Sequence, residues 1–345
     1  MDATFLSRVL ATGPDARIDI HGTENGTTGR VRATVRAPGT EPTDVFVKVP
    51  SGRRRARMLA EIPALTAAEA RFYSQLGDEV PDAPAHHYAA HARGRFAIVL
   101  EDLTGRCTLH DGGHPCTPAE AAAVVDVLAR LHGTFWDDPR LESQGSLGWL
   151  GSLRRRETRL GDLLAVPLTE LGLRRAANLI PPELRSPARR HARRRRSHME
   201  VLAAGPTTLV HADCHPGNIA FTRQSPPGAV LCDWQMVRTG SWARDVAYFL
   251  ATGLDARVRR SHGIDLFERY LEGLAAAGGP ALDPAQADIV RRAHTVVAFE
   301  AMVVTIGVGG LMGAEVIEAL VARTARAVID DDAFTALSTL VTHCR

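Results

Sequence analysis

The sequence predicts an α+β protein in which a small antiparallel sheet with one helix comes first and a larger, mostly helical part follows. Between Arg17 and Pro50 short runs alternate apolar and polar residues in steps of two, as half-buried strands do. From Thr117 onward apolar residues recur at steps of three and four, as on amphipathic helices. A length of 345 residues with 45% hydrophobic content gives one large or two modest domains a real core.

The first strands are read at Arg17-Ile-Asp-Ile, Arg30-Val-Arg-Ala-Thr-Val-Arg and Asp44-Val-Phe-Val-Lys-Val. Between the first two, Gly22 to Gly29 carries an Asn25-Gly26 pair, a strong hairpin signal. A glycine-bearing hairpin can lay backbone N–H groups over phosphates, which makes Gly26, Thr27, Thr28 and Gly29 candidates for nucleotide contact. Most Asn-Gly pairs only turn the chain, so this loop by itself is weak evidence.

Lys48 stands out more clearly. It is the only lysine in a chain whose Lys and Arg total 41. In its strand Val45, Val47 and Val49 point one way and Phe46 and Lys48 the other. A compact ammonium fits between phosphate oxygens where a planar guanidinium does not. The run Arg53 to Arg57 that follows has no interleaved aromatics for base stacking and reads as a solvated loop, not a nucleic-acid site.

Leu65 to Leu76 is an amphipathic helix with Leu65, Phe72 and Leu76 at helical spacing; it carries Glu69, and Glu61 precedes it. Phe96 to Leu100 is an apolar strand, and the pattern breaks at Glu101-Asp-Leu-Thr-Gly. Thr117-Pro-Ala-Glu120 is a capping box opening a helix through Val124, Leu128 and Leu131. His132 on that helix reads as a core histidine. Residues 150 to 205 are helix-rich and include Arg189 to Arg196, read as an exposed helix face. Further helices are expected near Asp265 to Ala276, Pro284 to Val308 and Ala314 to Val328. The apolar stretch Thr295 to Leu311 is interrupted by Glu300 and is read as a core helix, not a membrane span.

Between these helices lies Leu209-Val-His-Ala-Asp-Cys-His-Pro-Gly-Asn-Ile-Ala-Phe, followed by Val230-Leu-Cys-Asp-Trp-Gln. Two strand-like runs bracket a loop that offers His211, Asp213, His215 and Asn218, and Asp233 ends the next run. These residue types suit proton transfer next to a metal.

The spacing His211-x-Asp213-x-x-x-x-Asn218 with a later Asp233 resembles the protein-kinase phosphoryl-transfer arrangement. The His-Pro-Gly-Asn and Asp-Trp-Gln variants are more similar to the aminoglycoside phosphotransferase and choline kinase superfamily, small-molecule kinases, with an ecdysteroid-kinase-like branch nearest in pattern. Gly240 to Leu250, with its internal Asp245, resembles that family too. The resemblance implies a bilobal protein-kinase-like fold, with a nucleotide-binding lobe over 1–103 and a helical lobe over 104–345 holding the catalytic loop and acceptor site.

It further implies ATP, with GTP as the alternative, and Mg²⁺. Asp213 would be the catalytic base and His215 a hydrogen-bond donor to the transferred phosphate. Asn218 and Asp233 would be metal ligands, Lys48 the phosphate contact and Glu69, within Glu-x-x-Phe-Tyr, its ion-pair partner, with Glu61 as competitor. Glu101 and Leu103 would be hinge positions whose backbone meets adenine, and Asp245 would tie down the catalytic loop. Ala212 departs from the family, where many relatives carry glycine. The acceptor is a small-molecule hydroxyl on an antibiotic, a sugar, an amino alcohol or a sterol-like alcohol. Two rivals are a catalytically silent nucleotide-binding relative and a zinc hydrolase using His211, Asp213 and His215.

Five cysteines without a Cys-x-x-Cys pair favour a reducing, cytoplasmic setting, and Met1 to Leu10 does not read as a signal peptide. No nucleic-acid partner is expected.

Overall fold

A computed structural model describes residues 3–10, 16–25, 28–51, 65–92 and 95–343. It divides into two compact units, Met1–Thr108 with Leu231–Met236, and Leu109–Val230 with Val237–Arg345.

The first unit is built on one antiparallel sheet. A short helix, α1 (Ala3–Val9), precedes β1 (Arg17–Asn25), β2 (Thr28–Arg36) and β3 (Thr43–Pro50); α2 (Leu65–Leu76), β4 (His86–Ala92) and β5 (Arg95–Glu101) follow, and the short β6 (Cys107–Leu109) comes next in the chain. The sheet order is β1-β2-β3-β5-β4. The pleat sends Ala33, Val35, Val45, Val47 and Val99 to one face, where they close with Leu6 into a core. Phe46 and Lys48 consequently take the other face, as the alternation predicts. Gly26 and Thr27 lie outside the described residues, as do Glu61 and Arg53 to Arg57.

β4 is an element the sequence pattern misses. His86-His-Tyr-Ala-Ala-His-Ala contains no β-branched residue, and its strand form comes from pairing with β5, as tertiary context routinely overrides propensity.

In the second unit α3 (Pro118–Thr134) starts at the capping box, with the Glu120 amide donating to Thr117 Oγ1 at 3.3 Å and the Thr117 amide to Glu120 Oε2 at 2.8 Å. Helices α4 (Trp149–Arg175), α5 (Pro182–Arg193) and α6 (Arg195–Leu202) come next. β7 (Thr208–Val210) leads into the loop bearing His211 to Asn218 and pairs with β10 (Arg238–Gly240); β8 (Ile219–Thr222) and β9 (Ala229–Leu231) lie between them in the chain. Then come α7 (Ala243–Gly253), α8 (Ala256–Ala276), α9 (Pro284–Val308), α10 (Ala314–Asp330) and α11 (Ala333–His343).

The core of this unit gathers on α9, where Val296, Phe299, Met302 and Val303 meet Leu173, Leu320, Val321 and Leu337. Where α4 and α9 cross, Gly172 and Gly307 face each other: a Cβ on Gly307 would lie 2.7 Å from the Leu168 carbonyl oxygen and 3.1 Å from the Gly172 nitrogen. Only residues without side chains permit that approach.

Arg189 to Arg196 is not one exposed face. The helix breaks at Arg194, and Arg195, at the start of α6, turns inward to pair with Asp162 at 2.8 Å and Glu300 at 2.7 Å. That pairing explains how α9 tolerates a carboxylate in its apolar run, since a buried charge needs a partner. Among the described residues no helix is long and apolar enough to cross a membrane.

Candidate active site

In the first unit Lys48 is 4% exposed. Its Nζ donates to Glu69 Oε1 at 2.7 Å and Asp233 Oδ1 at 3.0 Å. Burial works to strip its charge, but the two carboxylates outweigh burial and raise its pKa, so the ammonium persists. For Glu69, burial pushes the pKa up against the opposing pull of Lys48. A buried ion pair contributes little to stability for what its desolvation costs, so this arrangement points to chemistry, not architecture.

Arg30, paired with Lys48 across the β2–β3 register, reaches Asp233 Oδ2 at 3.4 Å. Both oxygens of Asp233 therefore face cations. The turn that carries Asp233 has φ 63° there and is anchored by Trp234, whose ring stacks on Phe72 with centroids 3.9 Å apart and whose Nε1 donates to the Leu231 carbonyl at 2.8 Å. Phe72 lies three residues beyond Glu69, so one helix, α2, positions both carboxylates.

The face of the sheet opposite the core borders a cavity of about 380 Å³ lined by Arg30, Arg32, Thr34, Phe46, Asp102 and Thr104 among others. Thr28 is buried, and a Cβ on Gly29 would press to 3.2 Å from Val49. Glu101 is occupied locally: Arg106 donates to it at 2.7 and 3.0 Å, and the Ala85 amide at 2.9 Å. Burial would raise its pKa, but those donors hold it below the ordinary value. Leu103 is buried. The side chains of both positions are thus engaged within the first unit.

In the second unit the loop after β7 is held from beneath. Asp245 of α7 accepts the amides of His211 at 2.7 Å and Ala212 at 2.8 Å, and lies 3.4 Å from His132 Nε2. His132 Nδ1 in turn lies 2.8 Å from the Tyr270 hydroxyl, a satisfied core histidine. Burial would raise the Asp245 pKa; the His132 hydrogen bond and the neighbouring imidazoles and amide outweigh it and keep it low. Ala212 sits at φ 68°, the left-handed region that the amide pair with Asp245 enforces.

Both carboxylate oxygens of Asp213, the next residue, are held by donors. Tyr248 donates its hydroxyl to Asp213 Oδ1 at 2.8 Å, and Asn218 Nδ2 donates to Oδ2 at 3.0 Å and to the Asp213 carbonyl at 2.9 Å. Burial and the adjacent Asp213 charge raise the Tyr248 pKa well above its usual value, so it remains a donor. With its amide nitrogen committed, Asn218 keeps an Oδ1 that takes no hydrogen bond among the described residues.

His215 caps the Pro216–Asn218 turn through Nδ1, which accepts the Gly217 amide at 3.1 Å; its Nε2 lies 3.9 Å from Asp213 Oδ2. His211 is fully buried, and its Nδ1 accepts the Asp213 amide at 3.3 Å. Among the described residues no group of three or more His, Cys, Asp or Glu side chains could hold a metal ion, so the zinc-hydrolase set has no geometric support.

Residues 31–288 match the Phosphotransferase enzyme family (APH). The chain belongs to this family. No curated protein sequence matches this phosphotransferase. Among solved structures it is similar to a choline kinase from Cryptosporidium parvum Iowa II, with 11% identity, 99% of this chain and 100% of that chain covered, and a TM-score of 0.56. It is similar also to LicA in complex with AMP, with 12% identity, 99% of each chain covered and a TM-score of 0.50. Choline kinase LicA from Streptococcus pneumoniae gives 12% identity, 97% and 98% coverage and a TM-score of 0.49. The first two likenesses establish the kinase-like α+β fold for the phosphotransferase.

Three residues that position its reactive groups are absent from the motif reading. Tyr248 could have been found, because it stands three residues beyond Asp245 and therefore on the same helix face. Arg30 requires the β2–β3 register, and Trp234 requires knowing that its ring meets α2, so neither is visible in local pattern.

Proposed function

We propose that this phosphotransferase moves the γ-phosphoryl group of ATP to a hydroxyl of a small molecule. The observation that carries the reading is Lys48, the sole lysine, held between Glu69 and Asp233. In the family mechanism a lysine so held contacts the non-transferred phosphates. An adenine nucleotide is favoured over a guanine nucleotide because a structure of this fold, LicA, is in complex with AMP. The first unit would bind nucleotide on the sheet face that carries Phe46 and Lys48. The second would bind the acceptor.

Asp213 accepts the proton of the attacking hydroxyl as the new O–P bond forms and the bond from the γ-phosphorus to its bridging oxygen breaks; ADP leaves with that electron pair. Because the transition state is loose, Asp213 acts mainly by orienting the hydroxyl, and Tyr248 and Asn218 fix its two oxygens for that task. His215 would donate from Nε2, since its Nδ1 is an acceptor.

The donor chemistry fits Mg²⁺: the Asn218 Oδ1 is free of donors among the described residues, and Asp233 is a carboxylate already facing cations. Mg²⁺ held by either residue would supply charge neutralisation to the phosphates. The test is product mass. Incubation with ATP, Mg²⁺ and a panel of hydroxyl compounds should yield one acceptor heavier by a phosphoryl group, and none with Asp213→Asn. Unchanged turnover in Asp213→Asn would sink the reading.

A further inference from the structure

The second unit contains a cavity of about 440 Å³, lined among others by Arg159, Asp162, Arg195, Arg238, Ser241 and Arg244. This volume suits a small ligand. The cationic wall is not uniformly available. Arg195 is committed to Asp162 and Glu300, Arg238 is buried, and the exposed Arg159 can be solvated.

Arg244 differs from these. It is partly buried, its Nε is wholly buried without a hydrogen-bond partner, and no side-chain hydrogen bond or ion pair joins it to any described residue. It also stands in the first turn of α7, which has no side-chain cap. The one carboxylate of that turn, Asp245, is spent on the amides of His211 and Ala212, and the positive end of a helix dipole is a poor place for a cation unless a further anion joins it. Burial and, to a smaller extent, Arg195 lower the Arg244 pKa, although Asp245 and Tyr248 pull it the other way. Arg244 feels the carboxylates of Asp245 and Glu300 but hydrogen-bonds to neither among the described residues, and a guanidinium so placed on a cavity is an arrangement that an anionic ligand relieves.

The position of Arg244 relates it to the reaction. Tyr248, whose hydroxyl touches Asp213, lies four residues further along α7, one helical turn or about 5–6 Å between neighbouring side chains. Arg244 and Tyr248 also act on each other electrostatically, so a ligand anchored at Arg244 that followed this side of α7 beyond the cavity's lining would run toward Asp213.

We propose that this cavity receives the acceptor, and that the acceptor is an alcohol bearing a carboxylate, bound through that carboxylate by Arg244 and presented through its hydroxyl to Asp213. The proposal rests on the phosphotransferase reading above and adds the acceptor class. In the transfer the hydroxyl O–H breaks toward Asp213 and its oxygen joins the γ-phosphorus, while the ligand carboxylate stays ion-paired and unchanged. A cationic alcohol would place its charge against Arg244, so this site selects against the acceptor class of a choline kinase.

The test compares hydroxy acids, namely glycerate, 3-hydroxybutyrate and gluconate, with their carboxamides and with choline. Binding is read by calorimetry and transfer by ADP release, both with Mg-ATP present. At least one acid should bind tenfold or more tightly than its amide. Arg244→Gln should erase that preference, and Arg244→Lys, which keeps the charge without the planar fork, should retain part of it. Equal binding of acid and amide, an acid preference that survives in Arg244→Gln, or no binding of any acid to the wild type overturns the proposal. Transfer to choline or a neutral alcohol alone overturns it while leaving the phosphotransferase reading intact. Arg244-dependent acid binding without ADP release supports the cavity's anion preference, refutes phosphoryl transfer to those acids and so overturns their assignment as acceptors. Should Arg244→Gln fail to fold by circular dichroism, the acid-to-amide comparison in wild type and Arg244→Lys decides.

Discussion

Ala212 shows at one residue how strain is stored beside a reactive group. A non-glycine residue in the left-handed region carries a penalty of about 1 kcal/mol, and here the carboxylate of Asp245 enforces it through two amides. Ala212→Gly is expected to raise unfolding free energy by about 0.5–1 kcal/mol in urea titration, because glycine takes this φ without a clash; a loss of stability would show that the Ala212 methyl group contributes more than its strain costs. The oxygens of Asp213 pose a separate question. Tyr248→Phe removes one of two donors that orient the base, and we expect kcat to fall roughly 10-fold or more with KM for ATP nearly unchanged, against a fall of roughly 10²–10⁴ for Asp213→Asn. Equal kcat in Tyr248→Phe and wild type would show that Asn218 alone orients the base.

Among the elements, the α4–α9 crossing depends on two glycines. Gly307→Ala puts a methyl group against the Leu168 carbonyl oxygen, and overpacking of this kind costs about 1–3 kcal/mol; a Tm unchanged within error would mean that the helices can part freely. The sequence showed α3, α9 and the catalytic loop well because each is specified locally: a capping box at Thr117, an Asp283-Pro284 start, and motif residues within a single loop. It showed β4 and α11 poorly. β4 lacks β-branched residues and is a strand only because β5 offers a partner. The charge-rich stretch around Arg195 was legible as helix but not as architecture, since its partners Asp162 and Glu300 lie on two other helices. Arg244 is illegible for the same reason in reverse: a sequence does not say that a charge lacks a hydrogen-bond partner among the described residues.

At the scale of the whole molecule, acid sensitivity should appear in two steps. His294, buried on α9, has its pKa lowered to about 4 chiefly by burial, from 6.5. The fold prefers its neutral form, so its contribution is complete above pH 6.5, declines as the unfolded chain takes up the proton, and is gone near pH 4. The interval is worth about 3 kcal/mol. Glu300 follows: burial would raise it, but His191 and Arg195 hold it at about 2, below 4.5, so its stabilisation is lost as pH falls from 4.5 toward 2. Chemical denaturation between pH 7 and 4 should therefore show a falling stability that His294→Gln makes shallower, the remainder coming from groups such as His198, likewise lowered to about 4 chiefly by burial, and a flat wild-type profile would contradict it. The six residues Leu231–Met236 carry a different consequence for the whole chain, because they are assigned to the first unit although they are encoded far beyond its other residues. During synthesis the sheet and α2 emerge first, yet Phe72 has no Trp234 to stack on and Lys48 has only one of its two carboxylates. The first unit is thus translated early and finished late, and the charge centre built on Asp233 can be assembled only after the loop bearing Asp213 has already left the ribosome.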